Sequence, residues 1–214
     1  DYVGHPLVEV VARARARGPG APLAAGKIIA LLPGSRRQEV LEKLPVMLRM
    51  TAYFPGYTFV LGRGPHLDEG MLKQLLQDYP GVVVVEGKTY ELLQQAEAAL
   101  VTSGTATLET ALFRVPQVVC YKGNPVSYQL AKRLIRVRYI SLVNLIMDRE
   151  VVRELIQHEM NADNLRRELE RILTPEVRAR MQADYAELWN MLDEGDASLR
   201  AAERIVAYLN ESDT

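Results

Sequence analysis

Ile28-Ile29-Ala30-Leu31-Leu32-Pro33-Gly34-Ser35-Arg36-Arg37 is an apolar run that stops at a proline and a glycine and then turns basic. Such a run reads as a fully buried strand that hands the chain to a helix through a tight turn. Four more runs of the same kind follow, at Tyr57 to Leu61, Val82 to Val85, Ala98 to Thr102 and Gln117 to Tyr121. Between them, Val46 to Phe54, Leu67 to Tyr79, Thr89 to Ala96 and Thr105 to Phe113 return apolar residues every three or four positions, the spacing of a helix buried on one side. Buried strand alternating with one-sided helix implies right-handed crossovers and an α/β fold, a parallel sheet with helices on both faces.

Helix starts agree with this: Pro45 suits a first helical position, Asp68 and Thr89 suit caps, and Gly104 frees the turn before Thr105. Residues 1–26 read as a lead-in with one basic helix, Val8 to Arg17, and the loop Gly18-Pro19-Gly20-Ala21-Pro22. Beyond Arg138 the alternation ends. Tyr139 to Met147 reads as a strand or extended loop, and Val151 to His158, Ala162 to Leu173, Pro175 to Asp193 and Ala197 to Leu209 read as helices, so the C-terminal third is expected to be helical. The expected division is a lead-in over 1–26, an α/β domain over 27–195 and a terminal helix over 196–214. That helix carries a stripe of Leu199, Ala202, Ile205, Val206 and Leu209 that calls for a partner surface.

Composition excludes more than it selects. The 214 residues are 48% hydrophobic and 25% charged, which suits a folded core, and a net charge of -1 gives no overall drive toward nucleic acid. The single cysteine, Cys120, cannot form an internal disulfide, and in Val118-Val119-Cys120 it suits a buried apolar position in a reducing compartment. No apolar stretch reaches the about 18 residues of a membrane span and no signal-peptide pattern opens the chain, so a cytoplasmic location is expected. The chain opens on Asp1 and enters at once on Tyr2-Val3-Gly4-His5-Pro6, as though cut from something longer.

Two turns carry the chemistry. Gly34 lets an anion approach the backbone, Ser35 offers a hydroxyl, and Arg36 offers a two-pronged guanidinium, all at the carboxyl edge of a parallel sheet where ligands bind. The bland alternative is a strand-to-helix turn with solvated arginines. The second turn, Thr102-Ser103-Gly104-Thr105-Ala106-Thr107-Leu108-Glu109, opens a helix whose first N–H groups point outward, with the Ser103 and Thr105 hydroxyls as further donors; a diphosphate fits there. Glu109, one turn on, lies within reach of a ribose diol, or else merely favours the helix dipole. Neither turn has the spacing of an ATP-binding loop or of a dinucleotide fingerprint. A third cluster, Ser141 to Glu150 followed by Glu154 and Gln157, sets Asn144 in an apolar run, where its amide either satisfies local backbone or reaches a ligand.

Taken in order, Tyr2-Val3-Gly4-His5-Pro6, Leu31-Leu32-Pro33-Gly34-Ser35-Arg36, Ser103-Gly104-Thr105-Ala106-Thr107-Leu108-Glu109, Ser141-Leu142-Val143-Asn144-Leu145 and Glu154-Leu155-Ile156-Gln157 resemble the motifs of lipid-A-disaccharide synthases across nearly the whole chain. The resemblance implies the C-terminal, donor-binding half of a GT-B glycosyltransferase, a Rossmann-like domain. It implies transfer of 2,3-diacylglucosamine from its UDP donor to 2,3-diacylglucosamine 1-phosphate in lipid A biosynthesis, with no metal and no cofactor. It implies that Arg36 and the Ser103-Gly104-Thr105 turn meet the diphosphate, that Glu109 holds the ribose, and that Asn144 and Gln157 stand around the donor. In such enzymes the acceptor site and general base belong to an N-terminal domain, so this piece is expected to bind a UDP-sugar with little or no turnover. Of the three histidines, His5, His66 and His158, only His5 falls in a motif, as a hinge residue.

Lys132, Arg133, Arg136 and Arg138 crowd one segment with Leu130, Leu134 and Ile135; they form either a solvated helix end or, as the lipid substrates that the resemblance implies suggest, a patch that meets the acceptor's phosphate or the anionic cytoplasmic face of a Gram-negative inner membrane. The terminal stripe either folds back on its own domain or is the helix that GT-B proteins return to the N-terminal domain; in the second case it is left exposed here and favours a homodimer or an exchanged helix. Competing readings are another UDP-sugar enzyme of the same architecture, such as a UDP-N-acetylglucosamine 2-epimerase or a cell-wall precursor transferase, and a non-catalytic nucleotide-binding module.

Overall fold

The computed structural model describes residues 3–123, 138–193, 195 and 197–212. In order these form α1 (Pro6–Arg17), β1 (Lys27–Leu32), α2 (Arg37–Leu48), β2 (Tyr57–Arg63), α3 (Glu69–Leu76), β3 (Val83–Glu86), α4 (Thr89–Gln95), β4 (Ala96–Thr102), α5 (Thr105–Leu112) and β5 (Gln117–Tyr121). After the undescribed stretch come α6 (Leu142–Met147), β6 (Arg153–Ile156), α7 (Ala162–Ile172), α8 (Pro175–Leu192) and α9 (Ala197–Ser212).

The strands lie in the order β3-β2-β1-β4-β5-β6 and every pairing is parallel. β1 is central, with Ile29 opposite Phe59 on one side and Ala98 on the other. Every residue of β1 after Lys27 is buried, because helices cover the sheet on both faces and leave no polar side. α2 packs with α7 on one face; α1, α4, α5 and α8 form the other layer. Val8, Val11 and Ala14 of α1 join the same core as the strands. Strand order reverses between β1 and β4, so the turns that leave their carboxyl ends diverge and open a crevice at that edge.

Four local expectations are corrected. Pro45 does not start a helix; it sits inside α2, which begins at Arg37 because the turn after β1 runs straight into it. The lost backbone donor is tolerated where Val40, Leu44, Met47 and Leu48 are wholly buried. Lys88, not Thr89, stands at the cap of α4, whereas Asp68 caps α3 by accepting from Met71 N at 2.6 Å. The segment from Tyr139 is neither strand nor extended loop throughout: Ser141 caps α6 by accepting from Asn144 N at 3.3 Å. Val151 to His158 is not helical but contains β6, which adds to β5 in parallel with Val119 opposite Glu154. Its Val151, Val152, Leu155 and Ile156 fit either period, and over so short a run the open edge of β5 decides.

α9 bears on the two readings left open for its stripe. Its first turn is tied to α1 through Glu9, which accepts from Ser198 N at 2.8 Å and from Ser198 Oγ at 3.1 Å, yet Leu199, Ile205, Val206 and Leu209 remain more than half exposed. The stripe is therefore not buried against its own domain. Among the described residues no helix is long and apolar enough to cross a membrane.

Candidate functional site

The crevice at the β1/β4 reversal is a cleft of about 610 Å³. Gly34, Ser35 and Arg36 line it from the end of β1, and Ser103, Gly104, Thr105 and Glu109 line it from the end of β4 and the start of α5. The ends of β2 and β3 add Arg63, Gly64, Glu86 and Gly87. The two turns that the sequence singles out thus share one cavity, of a size that takes a nucleotide.

Each turn depends on a glycine. Gly104 has φ 146° and ψ -165°, a region essentially closed to residues with a Cβ, and it starts α5 with no side chain capping the helix. The Thr105 and Ala106 N–H groups at the start of α5 are thereby left for solvent or an anion, while Thr107 N donates to Gly104 O at 3.1 Å, with the positive end of the helix behind them. Gly34 has φ 113°, and a methyl group there would run into the Glu39 carboxylate. Glu39 is in turn paired with the outward-facing Arg36, Nη1 to Oε1 at 3.3 Å. That pair is exposed and weak, so a phosphate can take the guanidinium over.

Glu109 is held on one side. Tyr90 donates its hydroxyl to Glu109 Oε1 at 2.8 Å, and its ring packs on Phe113 with centroids 5.2 Å apart. Burial, reinforced by the carboxylate it faces, pushes the Tyr90 phenol up to about 12, so it remains a donor throughout the neutral range. The remaining lone pairs of Glu109 can accept from a diol.

Tyr90, Lys43 and Arg63 are absent from the sequence reading. Lys43 is 2% exposed, and its Nζ lies 2.6 Å from Oγ1 of Thr102, a cleft residue. Its spacing from Val40 and Met47 puts it on the buried face of α2, a signal that recognition of that helix would have exposed. Arg63 donates to Leu67 O at 3.0 Å and pairs with Glu86 at 3.3 Å, while its buried Nε has no acceptor.

The third cluster does not line the cleft. Asn144 is wholly buried; its Nδ2 donates to Val152 O at 2.8 Å and Glu154 Oε1 at 2.9 Å, and its Oδ1 accepts from Val151 N at 2.8 Å and Val152 N at 2.9 Å. Its hydrogen-bonding capacity is filled by the protein, which is the structural alternative left open for it. Glu154 is the centre of this network, accepting also from Ile140 N at 3.0 Å, Ser141 N at 2.9 Å and Ser141 Oγ at 2.7 Å. Ser103 joins it as well. Its hydroxyl donates to Ile140 O at 2.8 Å, so it tethers the cradle to this segment instead of offering the donor expected of it. Gln157 follows β6 at the same sheet edge with φ 54°; its Oε1 accepts from Gly123 N at 3.5 Å and its buried Nε2 lacks an acceptor.

His5 caps α1, its Nδ1 accepting from Leu7 N at 3.2 Å, and its own N–H donates to Leu192 O at 3.1 Å. This fastens the lead-in to the end of α8. His66 and His158 are exposed. Of the basic patch, Arg138 is exposed, and Lys132, Arg133 and Arg136 lie outside the described residues.

The sequence model of the family described as lipid-A-disaccharide synthetase matches residues 1–207. Lipid-A-disaccharide synthase of Syntrophus aciditrophicus is 37% identical over 224 residues, covering 100% of this chain and 58% of that protein. The Geobacter sulfurreducens enzyme of the same name is 34% identical, covering 99% and 58%. The chain thus spans 58% of the length of these curated relatives. Among solved structures, Staphylococcus aureus MnaA with UDP superposes with a TM-score of 0.67 at 15% identity, over 97% of this chain and 54% of that one. The calicheamicin glycosyltransferase CalG4 does so with a TM-score of 0.57 at 22% identity, over 91% and 46%. These likenesses establish the Rossmann-like fold.

Proposed function

Because the chain belongs to the lipid-A-disaccharide synthetase family, we propose that it forms the part of such a glycosyltransferase that holds the UDP-sugar donor, and that the β1/β4 cleft is where the donor's diphosphate and ribose lie. The observation that carries this reading is the meeting of the Gly34-Ser35-Arg36 and Ser103-Gly104-Thr105 turns in one cavity at the strand-order reversal. The donor is UDP-2,3-diacylglucosamine, the acceptor 2,3-diacylglucosamine 1-phosphate, and the product of the complete enzyme the lipid A disaccharide with release of UDP.

As the bond from sugar to diphosphate breaks, negative charge grows on the leaving phosphate. The Thr105 and Ala106 N–H groups of α5 are fixed before the ligand arrives, so they stabilise that charge without reorganising, and Arg36 exchanges Glu39 for phosphate to add a mobile cation. Glu109, steadied by Tyr90, accepts from the ribose. Gln157, strained and with an unanswered amide, is assigned to the sugar side of the donor; Asn144 acts through the framework that fixes Ser103. The acceptor hydroxyl must also lose a proton. Among the carboxylates lining the cleft, Glu86 is paired with Arg63 and Glu109 is given to Tyr90 and the ribose, and in keeping with the family we assign proton removal to a group outside the described residues. The domain division at 27–195, a cytoplasmic site of action and docking of the Arg138 segment on an anionic membrane remain parts of this proposal.

Calorimetric titration with UDP tests it. The chain binds UDP more tightly than uridine, and Arg36→Ala and Glu109→Ala each weaken UDP about tenfold, the cost of one charge-assisted hydrogen bond. Absence of UDP binding, or variants that bind like the parent, would overturn the assignment.

A further inference from the structure

Lys43 is a cation in an unusual place. It sits on the sheet-facing side of α2, 2% exposed, with Nζ 2.6 Å from Thr102 Oγ1 and 6.0 Å from the centroid of the Tyr121 ring. Thr102 is the last residue of β4, directly precedes Ser103-Gly104, and lines the cleft. The ionisable groups around Nζ are Glu39 and Glu42 of its own helix and Cys120 of β5, and Tyr121 of β5 lies beneath it; β4 contributes the neutral Thr102. No carboxylate among the described residues is within ion-pair distance of it. Burial lowers the Lys43 pKa despite the raising influence of Glu39, Cys120 and Glu42.

A buried cation without an ion-pair partner costs stability, and an apolar side chain of the same length would avoid that cost. A hydroxyl that accepts from an ammonium keeps its own proton to give away. Thr102 is not a donor to any described residue, so that proton is available at the floor of the cleft.

We propose that Lys43 is a positioning residue for the diphosphate: from beneath the cradle it supplies a counter-charge and turns the Thr102 hydroxyl into a donor toward phosphate. The proposal rests on the reading of the cleft as a nucleoside-diphosphate site. It makes the site's positive charge two-layered, with exposed Arg36 exchanging partners at the mouth and Lys43 fixed behind the floor. Linkage requires reciprocity: protonated Lys43 favours the bound diphosphate, and bound diphosphate favours protonated Lys43 by the same factor. Two opposite pH dependences follow. Between the depressed pKa and the ordinary lysine range the folded chain gains stability as pH rises, because the buried charge is discharged. Over that same window affinity for diphosphate falls.

The test is calorimetry of UDP and of uridine from about pH 6 to 10 on the full chain, on Lys43→Met, on Thr102→Val and on the double variant, with melting curves for each. Lys43→Met is expected to melt at or above the parent's temperature and to bind UDP about tenfold more weakly while leaving uridine unchanged. The parent-to-variant affinity ratio shrinks as pH rises, the ligand's own titration cancelling in that ratio. The Thr102→Val loss is largely absent in the Lys43→Met background, since the two groups act as a unit. Equal UDP affinity in parent and Lys43→Met, equal losses for UDP and uridine, or a ratio independent of pH would each sink the proposal while the nucleotide site stands. A parent chain that does not bind UDP at all removes both. Should Lys43→Met not fold, carbon-13 NMR of the lysine ε carbons in the parent decides: the resonance with the lowest titration midpoint moves to higher pH on adding UDP, and an unmoved midpoint refutes the idea.

Discussion

Tyr90 and Glu109 stand on successive helices, α4 and α5, and a 2.8 Å hydrogen bond joins the phenol of one to the carboxylate of the other. The carboxylate is therefore aimed before any ligand arrives, and its aim depends on how α4 meets α5. Glu109→Gln keeps the shape and one acceptor oxygen but removes the charge, and is expected to weaken UDP by up to about tenfold, no more than Glu109→Ala does. Tyr90→Phe leaves the acceptor in place but unsteadied, and a smaller loss, about two- to fivefold, is expected by the same calorimetry. A Tyr90→Phe loss as large as that of Glu109→Gln would mean that the phenol itself touches the ligand.

Gly104 and Gly34 share one kind of glycine requirement. At Gly104 an added Cβ meets nothing within 4 Å, so the cost of Gly104→Ala is backbone strain alone, about 1–3 kcal/mol. Gly34→Ala, at a φ of 113°, meets only the Glu39 side chain, whose carboxylate end can swing away, so its cost is again chiefly backbone strain and it is expected to free Arg36 from its partner as Glu39 moves aside. Urea midpoints measure both costs.

Removal of Asn144 or Glu154 is expected to act on stability first and on the cleft second. Asn144→Ala takes the side-chain acceptor from the Val152 N–H and a donor from Val152 O and Glu154, while the Val151 N–H keeps Arg149 O at 3.0 Å; the expected cost is about 1–3 kcal/mol. Glu154→Gln retains size but replaces an acceptor of several donors, so Ser141 and Asn144 must compete for one carbonyl oxygen. Hydrogen exchange should then rise at Ile140, Ser141 and Ser103 before it rises in β1.

Tyr185, 1% exposed, has its phenol pushed above the ordinary tyrosine value chiefly by burial, and Tyr90 is pushed up to about 12. A raised folded-state pKa on an acid that ionises to an anion means that the neutral form is favoured on folding. The stability is whole below about pH 10, where unfolded tyrosine begins to ionise, and is lost as pH rises through the folded value. Chemical denaturation of the parent and of Tyr185→Phe between about pH 8 and 11 separates this contribution from the opposite one of Lys43: the stability of the parent relative to the variant should decline as pH rises.

The outward face of α9 is expected to govern self-association. With Ile205 60% and Leu209 62% exposed, the helix presents an apolar strip, and its first turn is tied to α1 through Glu9. Ile205→Glu with Leu209→Glu should lower the weight-average mass in light scattering at high concentration, and a mass equal to the monomer in both chains would show that the strip has no second copy as partner.

The central strands are legible in sequence because β1 and β4 are covered on both sides and so read as unbroken apolar runs. The two cleft turns are legible because glycine and hydroxyls at the end of such a run have few other uses. β6 is not: it is short, carries the buried carboxylate Glu154, and its apolar spacing suits two periods. Lys43 is hidden for another reason, since lysine by default reads as surface and only the position of α2 against β4 buries it. Ser103 misleads in the opposite direction. Its hydroxyl looks like a ligand donor in the turn, but the carbonyl it serves, that of Ile140, is distant in sequence and comes within reach only through the Glu154 network.

Gly34 and Gly104 end strands that are neighbours in the sheet and remote along the chain, paired through contacts such as Leu31 with Leu100. Any molecule gripped between them has nothing to recognise in the unfolded polypeptide. Mass action then makes such a molecule a thermal protectant, adding about 2.7 kcal/mol to the folded state at a hundredfold excess over its dissociation constant. A rise in melting temperature that follows the logarithm of nucleotide concentration would consequently report that the β1–β4 seam has closed.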